Sequence, residues 1–169
     1  MRVVVVGGGA VGAAVALFLK RQGGAAVQVQ VVEADASLAR SSSALSAGSV
    51  RQQFSNAVNV RMSQFGHQVI SQAQDWLGVD ASPVQVGWVP GAYLFCAGAG
   101  GAAVLQANHA VQRAAGAQVA LLAPGAVAAR FPWLHTADLA LASLGEAGEG
   151  WLDGEAFARA LGAKARALG

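Results

Sequence analysis

The N-terminal thirty residues constrain this chain more than any other part of it. Residues 3–6 are four consecutive valines, the composition of a central parallel strand buried on both faces. Gly7, Gly9 and Gly12 come next in the spacing G-x-G-x-x-G. Residues 10–22 then read as a helix with Val11, Val15, Phe18 and Leu19 on one side and Lys20 and Arg21 in its last turn, ended by Gly23 and Gly24. Residues 27–33 form a second strand closing on Glu33. A strand, a helix and a strand in about thirty residues make a βαβ unit.

A lone glycine triplet carries little weight in a chain with 22 glycines; the setting supplies the rest. The triplet leaves a buried strand and opens a helix, and Glu33 stands 21 residues beyond Gly12. Each part then has a physical task in holding a dinucleotide. Gly7 permits the sharp turn, Gly9 lets a pyrophosphate approach the backbone, and Gly12 lets helix and strand pack closely. The N–H groups at Ala10 and Val11 and the positive end of the helix dipole face the phosphates. Glu33, with Ala34 beside it, accepts from the adenosine ribose hydroxyls and disfavours a 2′-phosphorylated nucleotide. NAD and FAD both satisfy this reading, against the alternative of a glycine turn with no ligand. The stretch of chain after Glu33 favours FAD, because an NAD-dependent dehydrogenase usually continues at once into another helix and strand.

Residues 34–55 instead form a long connection containing Ser37, Ser41, Ser42, Ser43, Ser46 and Ser49. Ordered loops of this length are usually functional, and a short helix is expected near residues 42–47. Residues 56–77 read as one long helix with Val58, Met62, Phe65, Val69, Ala73 and Trp76 at three- and four-residue spacing. Residues 84–89 and 93–97 look like a β-pair around Pro90 and Gly91. A helix over 102–115, a strand over 119–122 and a short helix over 124–130 opened by Pro124 come next. A strand over 139–144 and a final helix over 153–168, with Asp153 as N-cap, complete the chain.

The expected class is α/β, with a Rossmann-like FAD-binding segment over 1–55, after which the chain leaves that domain and builds part of another.

Of the 169 residues 54% are hydrophobic and 12% charged, which supplies a core and argues against disorder. Eleven Lys and Arg against nine Asp and Glu give a net charge of +2 without a basic cluster, so nucleic acid is not an expected partner. Residues 3–19 are uncharged, but the run is short for a membrane span and glycines interrupt it, so no transmembrane segment is expected. Cys96 is the only cysteine, which excludes an internal disulfide and fits a reducing, cytoplasmic setting. His67, His109 and His135 lack ligand spacing, so no metal is expected. Cys96 and the four tryptophans read as packing residues.

The opening VVVVGGGAVGAAVALFL, together with VVEAD, ARSSSALSAGSVRQQFS, GAYLFCA, RFPWL and GEGWLDG, resembles the N-terminal part of the D-amino acid oxidase and sarcosine oxidase family of FAD-dependent oxidoreductases. The resemblance implies FAD as cofactor, a small amine or amino acid as substrate, and oxidation of its C–N bond. It implies that residues 56–150 are part of an α+β substrate or cap domain and that 151–169 form a helix returning to the FAD domain. It implies that Glu33 binds the AMP ribose and that Arg40, Ser41, Ser42 and Ser43 lie along the pyrophosphate and ribityl chain. It also implies that Ala47, Gly48 and Ser49 pass close to the flavin ring, and that Arg51 is a basic group near the flavin. Members of this family are about twice as long. The chain is therefore expected to be an N-terminal fragment, inactive alone and completed by a C-terminal half. The competing readings are an NAD-dependent Rossmann dehydrogenase and a non-catalytic nucleotide-binding remnant.

Overall fold

A computed structural model describes all 169 residues. The chain divides into two compact units, one of residues 1–49, 69–88 and 151–169, the other of residues 50–68 and 89–150.

In the first unit, β1 (Arg2–Val6) pairs in parallel with β2 (Gln28–Val32), with Val5 opposite Val31. Helix α1 (Ala10–Gly23) makes the crossover, and the chain turns through Gly24 at φ 50°. Lys20 is buried and donates from Nζ to the carbonyls of Gly24 at 3.0 Å and Val27 at 2.9 Å, satisfying carbonyls just beyond the helix.

The valines of β1 are not enclosed on both faces as expected. Val3 and Val5 are half-buried, whereas Val4 is 62% and Val6 86% exposed. The physical reason is that β1 and β2 form a two-stranded sheet, so the outer face of the ribbon has nothing packed on it. The helix also buries a different side from the one expected. Val11 and Val15 are exposed, and Ala13, Ala16 and Leu17 are buried. This side of α1 faces the last helix, α6 (Gly154–Ala167), whose Ala158, Leu161 and Ala165 are buried. Alanine at the seam lets two helix backbones approach closely, and that approach outweighs the larger valines in choosing the face. Asp153 caps α6 as expected, its Oδ1 accepting from the N–H groups of Glu155 and Ala156 at 2.9 Å each.

Residues 34–48 contain hydrogen-bonded turns and no helix near 42–47. Two short strands flank the chain's crossings between units, β3 (Ser49–Val50) and, further on, β4 (Val89–Gly91). The single long helix expected over 56–77 is two helices, α2 (Ala57–Ser71) and α3 (Ala73–Leu77), broken at Gln72 (φ −113°, ψ 37°). Val69 and Ala73 are buried, but Val58, Met62 and Phe65 are exposed, and Val60 is fully buried in their place. The first part of α2 belongs to the second unit and its end to the first, so no single face serves the whole helix.

The second unit is built on an antiparallel sheet of β5 (Leu94–Ala97), β6 (Val119–Leu122) and β7 (Leu141–Gly145), in the order β5-β7-β6. Residue Ser143 lies between Phe95 and Leu121. Helix α4 (Ala102–Ala114) and helix α5 (Pro124–Arg130) pack on this sheet, and Ala142 and Val127 are fully buried. Residues 84–89 and 93–97 do not pair with each other. β5 takes β7 as its neighbour, and β4 joins a separate sheet of order β3-β8-β4 with β8 (Glu149–Trp151). The central strand β7 offers β5 a four-residue ladder, which a short local hairpin through Pro90 could not match.

Candidate dinucleotide site

The glycine bend is held from below by the sheet: the N–H of Gly7 donates to Val32 O at 2.8 Å. Gly7 sits at φ 97°, a conformation that excludes other L residues at low cost. A Cβ on Gly12 would lie 1.9 Å from Gly7 O, so the first turn of α1 rests directly on the bend.

Glu33 faces the bend. Its Oε2 accepts from the N–H of Gly8 at 2.6 Å, and its Oε1 accepts from the N–H of Asp35 at 2.9 Å. The backbone N–H of Asp35, then that of Gly8, stabilise the anion and hold this carboxyl below its ordinary range. A carboxylate accepts about four hydrogen bonds, so acceptor capacity is left over for a diol. Ala34 and Glu33 are both exposed.

The serine-rich loop crosses the start of α1. Ser43 Oγ accepts from the N–H of Ala10 at 3.0 Å, which corrects the expectation that this N–H faces the phosphates. The first helical N–H groups have no partner within the helix, and a serine hydroxyl is a better acceptor than an empty approach. Gly9 lies under the same loop: a Cβ there would meet Ser43 Oγ at 3.5 Å and Ser41 Cβ at 3.9 Å. The hydroxyl of Ser43 keeps its own proton to donate outward. Ser41 Oγ accepts from the N–H of Ala44 at 3.1 Å, and Ser42 and Arg40 are exposed. Ala47 and Ser49 are exposed and Gly48 is buried, at φ 64°. A Cβ on Gly48 would lie 1.9 Å from Leu152 O, and Leu152 N–H donates to Gly48 O at 3.0 Å.

Gly7, Gly8, Gly9, Ala10, Gly12, Glu33, Ser41 and Ser43 thus stand together in one unit. Arg51 belongs to the other unit, where its guanidinium lies 5.1 Å from the ring centre of Phe54 and 5.5 Å from that of Phe95. Sequence reasoning missed Gly8, whose N–H makes the clasp with Glu33, and Gly154, where a Cβ would lie 2.3 Å from Ser43 O. The run of three glycines carried the first signal; the second residue has none in the sequence, because only the fold brings α6 to the loop.

From the Glu33 end a groove of about 460 Å³ runs where α1, α6 and β2 meet. Ala13, Ala16, Val29, Val31, Ala158 and Ala165 line it. No group of three His, Cys, Asp or Glu side chains is arranged to hold a metal, and no helix is long and apolar enough to cross a membrane.

Residues 2–169 match the DAO family, described as FAD dependent oxidoreductase. The chain belongs to this family. FAD is the cofactor of DAO-family proteins. At the bend the Glu33 carboxylate keeps acceptor capacity for a ribose diol and the Ser43 hydroxyl keeps a proton for a phosphate oxygen, while the N–H groups of Gly7, Gly8 and Ala10 are already engaged by Val32 O, Glu33 and Ser43. The chain is 41% identical to FAD-dependent oxidoreductase domain-containing protein 1 of Xenopus laevis over 170 residues, covering 99% of this chain and 34% of that protein. The corresponding protein of Bos taurus is also 41% identical, with 99% of this chain and 35% of that protein covered. The chain thus spans about a third of the length of these relatives. Among solved structures, L-proline dehydrogenase from P. horikoshii superimposes with a TM-score of 0.80 at 24% identity, over 99% of this chain and 42% of that one. L-alpha-glycerophosphate oxidase from Mycoplasma pneumoniae, solved with FAD bound, gives a TM-score of 0.76 at 16% identity, over 99% and 42%. At these identities the structural likeness establishes the shared DAO-type fold.

Proposed function

We propose that this chain supplies the FAD-binding start of an oxidoreductase that oxidises the C–N bond of a small amine or amino acid, and that it is inactive alone. The observation that carries the cofactor half of the reading is the Glu33–Gly8 clasp on a bend that Gly12 packs against. The substrate half is supported by the proline dehydrogenase of like fold and by glycine oxidase from Bacillus cereus, at a TM-score of 0.68.

Bound FAD would supply hydride acceptance, and the protein's task is to orient substrate and exclude water. Glu33 holds the ribose diol. Ser43 passes the positive end of α1 to the diphosphate through its hydroxyl, one oxygen accepting from Ala10 and one proton donated outward. Arg40, Ser41 and Ser42 run along the diphosphate and ribityl chain, Ala47, Gly48 and Ser49 along the flavin, and Arg51 gives the flavin a basic neighbour. In this reading residues 1–55 are the cofactor segment, 56–150 part of the substrate domain, and 151–169 the helix returning to the cofactor domain. A reducing, cytoplasmic compartment belongs to the same proposal, on the strength of the single Cys96.

We further propose that polypeptide corresponding to the remaining two thirds of the relatives completes the fold. Two features support this: the free edge of β2 in a two-stranded sheet, and the exposed Val4, Val6 and Val32 on its open side. An edge strand with apolar surroundings is a template for another strand.

Titration of the purified chain with FAD, read by flavin absorbance and fluorescence, tests the cofactor assignment. Saturable binding that NAD does not displace is the expected result. A colourless chain that binds NAD would replace the reading with a dehydrogenase, and a chain that binds neither would leave a remnant. Amine-dependent dye reduction by the 169 residues alone would overturn the expectation of inactivity.

A further inference from the structure

We propose that Glu149 is a positioning residue that seats Arg51 against Phe95. Glu149 is a carboxylate 1% exposed with no cation bound to it; its partners are all N–H groups. Its Oε1 accepts from the backbone N–H of Gln52 at 2.9 Å. Its Oε2 accepts from the backbone N–H of Tyr93 at 2.9 Å and from Gln53 Nε2 at 3.2 Å. The carboxylate lies flat on Gly145, where a Cβ would come 1.9 Å from Oε2. Burying a carboxylate is costly unless its acceptor sites are filled, so these contacts define one placement of the segments that make them.

The consequence falls on Arg51. The C=O of Arg51 and the N–H of Gln52 belong to one planar peptide group. Ser63 Oγ donates to that C=O, and Glu149 accepts from that N–H. Gripped at both ends, the peptide plane has one orientation, which fixes the place of the Arg51 Cα and the Cα–C axis from which its side chain departs. The other oxygen of the same carboxylate holds Tyr93, the residue before β5 and two before Phe95, whose ring receives the guanidinium. Gln53 braces the arrangement, donating to Tyr93 O at 2.9 Å and accepting from Ser143 Oγ at 2.6 Å. One carboxylate therefore holds both the arginine and one of its two aromatic seats. Any effect on flavin rests on the proposed assignment of Arg51 to that cofactor; the positioning itself does not.

The test is made first on the 169-residue chain without flavin. In the native chain the Arg51 δ and ε protons are expected upfield, over the faces of Phe54 and Phe95, and the amides of Gln52 and Tyr93 are expected to be protected from hydrogen exchange. Glu149→Gln presents one acceptor and one donor to three donors. It should speed exchange at Gln52 or Tyr93 by about tenfold or more and move the Arg51 signals to their random-coil positions, with α6 unchanged. Glu149→Asp keeps the charge but withdraws it by one methylene, and should shift Arg51 in the same direction. Unmoved Arg51 signals in either folded variant would overturn the proposal, and so would failure of both variants to fold, since Glu149 would then be a residue of the core and not of position. In a second arm, FAD affinity is compared for the native chain, Arg51→Met, Glu149→Gln and the double variant. The expected result is that Glu149→Gln adds nothing once Arg51 is gone, whereas additive losses would refute action through Arg51. A native chain that takes up no FAD would refute the cofactor reading and leave the first arm decisive.

Discussion

The strands β1 and β7 are both rich in small and aliphatic residues, yet they live in different surroundings. In β7, Ala142, Ser143 and Leu144 are all nearly inaccessible, enclosed between β5 and β6 with helices packed on the sheet. In β1 every second residue is open to solvent, and the sheet stops after one partner strand. The second unit therefore draws its order from a sheet that is complete on both sides of its central strand. The first unit draws its order from a pair of helices, α1 and α6, and from the bend that α1 rests on. The contrast teaches that a glycine bend can be built to close tolerance on a sheet of only two strands, because the tolerance is set by Gly12, Glu33 and the serine loop and not by the outer valines.

The largest expected effect breaks the bend. Gly12→Val places a branched side chain where a single Cβ already lies 1.9 Å from Gly7 O. Overpacking of this kind costs about 1–3 kcal/mol, and here it displaces the diphosphate seat as well. FAD uptake measured by flavin absorbance should fall by about a hundredfold or more, with far-UV circular dichroism retained. Uptake unchanged by this substitution would show that the bend does not hold the ligand.

A smaller effect separates the two cores. Leu161→Ala opens the α1–α6 seam and Val127→Ala opens the second unit; their side chains are 2% and 0% exposed. The leucine change should cost about 2–5 kcal/mol and the valine change less. Hydrogen exchange resolved by residue should show Leu161→Ala loosening α1 and β2 while β7 keeps its protection. Uniform loosening of both units would erase the distinction between helix-ordered and sheet-ordered cores.

Glu33→Gln sharpens the comparison at the site itself. It should weaken FAD binding about tenfold, read by the same titration. Because N–H donors lower the pKa of Glu33 in the folded chain, the clasp is fully formed above the ordinary glutamate value near 4.3. It should be lost only as pH falls through the lower, folded value. The chemical shift of the Gly8 amide monitored during acid titration checks this, and a midpoint at or above the ordinary value would contradict it.

The smallest effect is expected from Ser43→Ala, which removes the acceptor of the Ala10 N–H. A lost helix-capping oxygen costs about 1 kcal/mol, measurable as a lowered thermal midpoint. If Ser43 also meets the diphosphate, the loss should be larger with FAD present than without it.

Much of the candidate site is legible in the chain without its fold. Four valines, three spaced glycines and an acid at the end of the next strand point to the βαβ unit, because each requirement is local and tied to spacing along one strand or one helical turn. The serine loop announced itself by composition. The errors have a common physical origin. Val58, Met62 and Phe65 have a helical period, but periodicity names a face without saying what meets it, and here Val60 is the residue that meets the core. Residues 84–89 and 93–97 have β character, but a strand takes the neighbour with the better ladder, and β7 comes from nearly fifty residues away.

What the sequence determined by itself is the bend, the acid that answers it and the family of cofactor they suit, since backbone conformation and short-range spacing decide those. What only the tertiary structure decided is which side of each helix is buried, which strands pair, and how Ser43, Glu33 and Glu149 find their N–H donors. Those outcomes depend on contacts between segments far apart in the chain. A side chain's own chemistry states that it needs a partner, and only the packed fold determines which one it gets.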